Sequence, residues 1–195
     1  MRIERIILAS ASPRRSALLD QLGLAHEVLP ANIDESVREG ETAQRYTTRL
    51  AEEKALAVRA VSRPNALIIA ADTAIGLDEA ILGKPEHVEA AVAMLAQLAG
   101  RAHDVFTGFA LSIGDELHVE SVRSRVWIGA GSEADWRAYC ATGEPLDKAG
   151  AYAIQGLGAR LVERLEGSYS NVVGLPLFEL GRALDAFGIN ALGQE

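Results

Sequence analysis

The strongest constraint in this sequence is Ala66-Leu67-Ile68-Ile69-Ala70-Ala71, an unbroken apolar run that leads straight into Asp72-Thr73. A strand with one wet face alternates apolar and polar residues, whereas a continuous run is covered on both faces. The run therefore predicts a central strand, opened by the breaker Pro64-Asn65 and ending at Asp72. In open α/β sheets, ligands sit beyond the carboxyl ends of such strands. An acid there can bind a divalent cation or activate water. An ordinary turn aspartate explains the residue equally simply, so Asp72 alone decides nothing.

The flanking segments alternate between strand and helix patterns. Ile6 to Ala9 reads as a first buried strand, and Ser12-Pro13 as the cap and first position of a helix carrying Leu18, Leu19 and Leu22, stopped by Gly23. A short strand around Glu27-Val28-Leu29 leads into an acidic loop with Asp34 and Glu35. Thr42 opens a long helix to about Ser62. A strand pair from Ala74 to Leu82 turns at Asp78-Glu79, and a helix follows from about His87 to Leu98. Two long strands meet near Gly114-Asp115, and Ser132 with Asp135 forms a capping box. From Gly143 to Gly174 the chain reads as Gly-rich and irregular, before a last helix over about Pro176 to Phe187. This alternation predicts an α/β fold with a mixed central sheet and flanking helices.

Composition narrows the function classes. With 195 residues, 49% of them hydrophobic, residues 1–195 can bury a core as a single domain. One cysteine, Cys140, excludes an internal disulfide and a Cys-based zinc site. It reads as a helix residue in contact with the core. The four histidines, His26, His87, His103 and His118, lack zinc-ligand spacing and read as structural. No apolar run approaches the roughly 20 residues of a membrane helix, and Met1 to Ala9 is too short for a signal peptide. The expectation is a cytoplasmic protein without membrane contact. The 19 Lys+Arg against 27 Asp+Glu give a net charge of −8, and aromatics are 5%. A nucleic-acid partner wants a basic face and stacking rings, so it is disfavoured. A small anionic ligand is not, because local charge decides that contact.

Local charge is informative at Ser10-Ala11-Ser12-Pro13-Arg14-Arg15. A helix start offers free N–H groups and partial positive charge. Two arginines there oppose the dipole, which suggests an anion that offsets them; a solvated basic turn is the plain alternative. Lys84, on the tight Gly83-Lys84-Pro85 turn, suits phosphate binding but also suits a surface turn. Lys54, among alanines on the long helix, reads as a snorkelling surface lysine, and Glu35 as a solvated acid. Gln155, in a Gly-flanked loop, can donate and accept and so read a nucleobase edge, or simply brace its loop.

Taken together, the strings SASPRRSALL, ADT, LGKP, Thr107-Gly108, DKAGAYAIQG and GSYSNVVGLP resemble the Maf family of nucleotide pyrophosphatases, in the family's order and from residue 8 to 178. Thr73, Gln155 and GSYSNVVGLP look most like its dTTP/UTP subgroup rather than the 7-methyl-GTP one. Ala74-Ile75 departs from the usual pair of valines or isoleucines, a packing change only. The resemblance implies two lobes around a cleft (Maf/ITPase-like), a homodimer, a divalent cation (Mg or Mn), and hydrolysis of dTTP, UTP or modified pyrimidine nucleotides to monophosphate and pyrophosphate. It implies Asp72 as general base, with Ser10, Arg14, Arg15, Lys54 and Lys84 along the phosphates. Glu35 joins Asp72 at the metal, and Arg14, Thr73 and Gln155 match positions tied to base preference. The alternative from another class is a regulatory nucleotide-binding protein acting on septum formation without turnover.

Overall fold

The apolar run does form the middle of a sheet, but its strand does not stop at Asp72. In the computed structural model, which describes residues 3–190, the strand β3 extends over Ala66–Leu77. (Met1 and Arg2, at the head of the segment too short for a signal peptide, and residues 191–195 lie outside the described residues.) The first strand, β1 (Arg5–Leu8), runs parallel to Ala66–Ile69 and carries the two-residue β2 (Glu27–Val28) on its outer side. Past Leu8 that edge of β3 loses its partner. It regains one at Ile75–Leu77, where β4 (Ala80–Leu82) folds back antiparallel after the turn at Asp78-Glu79. Asp72 and Thr73 lie in the interval. On the other edge they stay paired to β5 (Ala102–Ile113), opposite Gly108 and Thr107. Hydropathy marks the polar side chains at this point. The backbone pairing that carries the strand onward leaves no mark in hydropathy.

Among the described residues seven strands form one mixed sheet in the order β2-β1-β3-β5-β6-β7, with β4 on β3, where β6 is Glu116–Ile128 and β7 is Val162–Glu166. Alternation along β3 sends Ile68 and Ala70 to one face, against Ala51, Ala55 and Val58 of α2 (Ala43–Val61). It sends Leu67, Ile69 and Ala71 to the other, against Leu18 and Leu19 of α1 (Pro13–Gln21) and Leu180 and Leu184 of the last helix, α6 (Leu177–Ala186). Farther along that face, Ile75 and Leu77 pack with Leu95 of α3 (Val88–Leu98) and Trp136 of α4 (Glu133–Cys140). A cleft opens between these two packing groups.

Two local readings change. Ser12 stands at the cap position of α1, but its hydroxyl makes no cap bond; its N–H donates to Ser10 Oγ at 3.2 Å. The stretch after Gly143 is more ordered than its glycines suggest. It holds 3-10 turns at Glu144–Asp147, Ala149–Ala151 and Gly156–Leu161, then β7 and the short α5 (Tyr169–Val173). Cys140 is buried in the core, as expected. Among the described residues, no helix is long and apolar enough to cross a membrane.

Candidate active site

The interval where β1 has ended and β4 has not begun opens into a cleft of about 660 Å³. Every site residue expected from the sequence lines it: Ser10, Arg14, Arg15, Glu35, Lys54, Asp72, Thr73, Lys84 and Gln155. They are not equivalent in how they are held.

Asp72 projects to the α2 face, where Lys54 meets it: Nζ lies 2.6 Å from Oδ1. The same ammonium is 2.8 Å from Oε1 of the exposed Glu35. Lys54 is only 7% exposed, so the snorkelling reading is wrong. The reason lies across the sheet. Gly108 lets α2 settle directly on β5, and a Cβ there would overlap the Thr47 carbonyl. Thr47 and Lys54, two helical turns apart, share the buried face. A buried lysine needs a partner charge, and Asp72 supplies it. Asp72 Oδ2 has no hydrogen-bond partner among the described residues, and Asp72 lines the cleft.

Thr73 faces the opposite way and begins a relay. Arg15 donates from Nη2 to Thr73 Oγ1 (3.1 Å), from Nη1 to Ser10 Oγ (3.0 Å) and from Nε to the Gly174 carbonyl (2.8 Å). The Thr107 hydroxyl donates to the Asn171 carbonyl at 2.8 Å. Its one proton is therefore used, and the 2.9 Å contact between the two threonines must be a donation from Thr73. Arg15 is thus fixed from three sides. Burial lowers its pKa and Asp72 opposes that shift, yet a guanidinium stays charged in proteins.

The remaining cations are looser. Arg14 is 3.6 Å from Asp147, and Lys84 is exposed on a loop that the Gly150 N–H pins through the Gly83 carbonyl at 3.0 Å. Gln155 is half-buried in the cleft lining, its amide unpaired among the described residues. Two lining residues escaped the sequence reading. Tyr46 donates to the Glu35 carbonyl at 2.9 Å, and burial pushes its phenol up to about 12. Lys148 donates to Asp147 Oδ1 at 2.6 Å; its signal was its place in DKAGAYAIQG, overshadowed there by Gln155. His103 proves structural: burial lowers its pKa to about 4, and it pairs with the Tyr152 hydroxyl at 2.7 Å.

Among the described residues, no group of three or more His, Cys, Asp and Glu converges as a metal cage. Asp72 and Glu35 nonetheless both reach one cationic centre, the Lys54 ammonium. Two hard carboxylate donors of this kind suit Mg²⁺, which takes one or two carboxylates and completes its shell with phosphate oxygens and water.

A dTTP/UTP pyrophosphatase of Desulfotalea psychrophila is 52% identical over 177 residues, covering 90% of both chains. One of Methylobacillus flagellatus is 48% identical over 195 residues, covering 98% of this chain and 96% of its own. The fold also aligns with the Ham1 protein of Staphylococcus aureus at 16% identity and a TM-score of 0.48, covering 82% of this chain and 80% of that one. Residues 5–187 match the model of the family described as Maf-like protein, and to that family this chain belongs.

Proposed function

We propose that this protein hydrolyses nucleoside triphosphates to the monophosphate and pyrophosphate, preferring dTTP and UTP, with residues 1–195 acting as one catalytic domain. The observation that carries the reading is the buried Asp72 in the cleft lining, held by Lys54 at one oxygen and without a hydrogen-bond partner among the described residues at the other, with Arg14, Arg15 and Lys84 lining the same cleft. The names of the relatives, dTTP/UTP pyrophosphatases, support the substrate class.

Phosphoryl chemistry asks a protein mainly for positioning and charge stabilisation. Ser10, Arg14, Arg15 and Lys84 line the triphosphate path. Arg15 is locked by Thr73, Ser10 and the Gly174 carbonyl, so it needs no rearrangement as charge develops. Asp72 takes a proton from water as the water oxygen bonds to the α-phosphorus. The bond from that phosphorus to the bridging oxygen breaks, and pyrophosphate leaves with the bonding pair. Lys54 holds Asp72 in orientation for this. Asp72 and Glu35 would also hold a divalent cation, Mg²⁺ or Mn²⁺, which when bound neutralises phosphate charge. At the other end, Gln155 offers a donor and an acceptor to the carbonyl–imino edge of uracil or thymine. A cytoplasmic location and a homodimer, both implied by the family resemblance, belong to the same proposal.

Hydrolysis of UTP in ¹⁸O-water tests the mechanism. Label is expected in UMP; label in pyrophosphate would contradict attack at the α-phosphorus. Nucleotide binding without pyrophosphate release, across a panel of nucleotides with Mg²⁺ or Mn²⁺ and an EDTA control, would favour a regulatory binding protein instead.

A further inference from the structure

Gln155 sits in a loop with no sheet or long helix to hold it, yet the loop is gripped on both sides. After Gln155, the N–H groups of Leu157 and Gly158 donate to Glu144 Oε2 (3.0 Å) and Oε1 (2.8 Å). Before it, the Ala153 N–H donates to the Tyr139 hydroxyl at 3.3 Å. The two grips are joined, because that hydroxyl donates to Glu144 Oε1 at 2.8 Å. Tyr139 itself is buried in α4 among the core residues beneath the far end of β3. The loop is shaped to this carboxylate. Gly156 has φ +70°, and a Cβ there would stand 2.6 Å from Glu144 Oε2.

We infer that Glu144 is a positioning residue for nucleotide selectivity: its carboxylate ties the Gln155 loop to Tyr139 and so fixes where the Gln155 amide meets the base. The inference rests on Gln155 reading the base. Charge matters as well as shape. Both oxygens accept, and three donors converge on them, an arrangement only an ionised carboxylate satisfies fully. Burial pushes the Glu144 pKa up, but the Tyr139 hydroxyl and the two backbone N–H groups outweigh it and leave the carboxyl below its usual range. Glutamine has nearly the same shape but would turn an NH₂ group toward one of these donors.

The test uses full-length Glu144→Gln, Gln155→Ala and the double variant, with kcat/KM for UTP, dTTP and CTP and amide exchange at Leu157 and Gly158. Glu144→Gln is expected to speed exchange at both amides and to shrink the UTP-over-CTP preference about tenfold. Adding Glu144→Gln to Gln155→Ala should shrink it no further than Gln155→Ala alone does. Tyr139→Phe, which spares both backbone bonds to Glu144, serves as a milder second variant if Glu144→Gln folds poorly, and should shrink the preference to a smaller degree. If Gln155→Ala shrinks the preference while neither Glu144→Gln nor Tyr139→Phe does, Gln155 reads the base and the clamp is wrong. A uniform fall for all three nucleotides in the Glu144 variant would likewise reduce it to a structural residue. If Gln155→Ala leaves the preference intact, base reading by Gln155 is wrong and the inference falls with it.

Discussion

The two ends of the cleft are built differently. At the cationic end, Asp72, Lys54, Arg15 and Thr73 stand on β3, α2 and α1, and side-chain bonds tie these elements to one another and to β5. At the Gln155 end, a loop between 3-10 turns is held by one carboxylate and one phenol. The difference follows from the tasks proposed for them. Charge stabilisation needs groups fixed before the reaction begins, and rigid elements supply that. Choosing among bases needs only an edge of donors and acceptors, which a loop can present and sequence can vary without disturbing the chemistry.

Damage to the cationic end should therefore stop turnover of every nucleotide. Asp72→Asn removes the proton acceptor and leaves Lys54 paired only to Glu35. A loss of about 10² to 10⁴ in kcat is expected, equal for UTP and CTP; steady-state rates with both nucleotides check it, and a loss confined to one would break the comparison. Gly108→Ala attacks the same end from outside the cleft. The added methyl meets the Thr47 carbonyl and lifts α2, carrying Lys54 away from Asp72. Overpacking of this kind costs about 1–3 kcal/mol. Thermal unfolding should register it together with a fall in kcat for all nucleotides.

A milder effect is expected under acid. Glu41 precedes α2 and grips Arg49 at 2.6 Å, while Arg49 also donates to the Ser36 carbonyl, so the pair fastens the loop that bears Glu35. The Arg49 hydrogen bond pulls the Glu41 pKa from its usual 4.5 to about 2. A carboxyl with a lowered folded-state pKa contributes its stability above the unfolded value and loses it as pH falls toward the folded one. The contribution is thus full above about pH 4.5 and fades between 4.5 and 2. Glu41→Gln should lower Tm at pH 7 and leave it little changed near pH 2; an equal drop at both would sever the pair from the pH dependence.

How far the sequence revealed these two regions also differs. Ser10, Arg14, Arg15, Asp72, Thr73 and Lys84 were legible, because SASPRR, ADT and LGKP are contiguous strings with charges in unusual places. Their joining was not. Asp72 read as a strand end because hydropathy sees side chains and not the β5 pairing, and Lys54 read as a surface lysine because nothing local shows Gly108 bringing α2 down onto the sheet. At the other end Gln155 was legible through its flanking glycine, but Glu144 was not. Its partners lie 13 and 14 positions on, in a stretch whose glycines point to irregular chain where short turns form.

The most direct test of the division between the two ends is the UTP-to-CTP ratio of kcat/KM, measured in the unaltered protein, in Asp72→Asn and in Gln155→Ala. The account predicts that Asp72→Asn keeps the ratio while both rates collapse. Gln155→Ala should lower the ratio by the roughly 1–3 kcal/mol of an unmade buried hydrogen bond, about 5- to 150-fold, without loss of fold. A Gln155→Ala variant that slows UTP and CTP equally, leaving the ratio where it was, would contradict it.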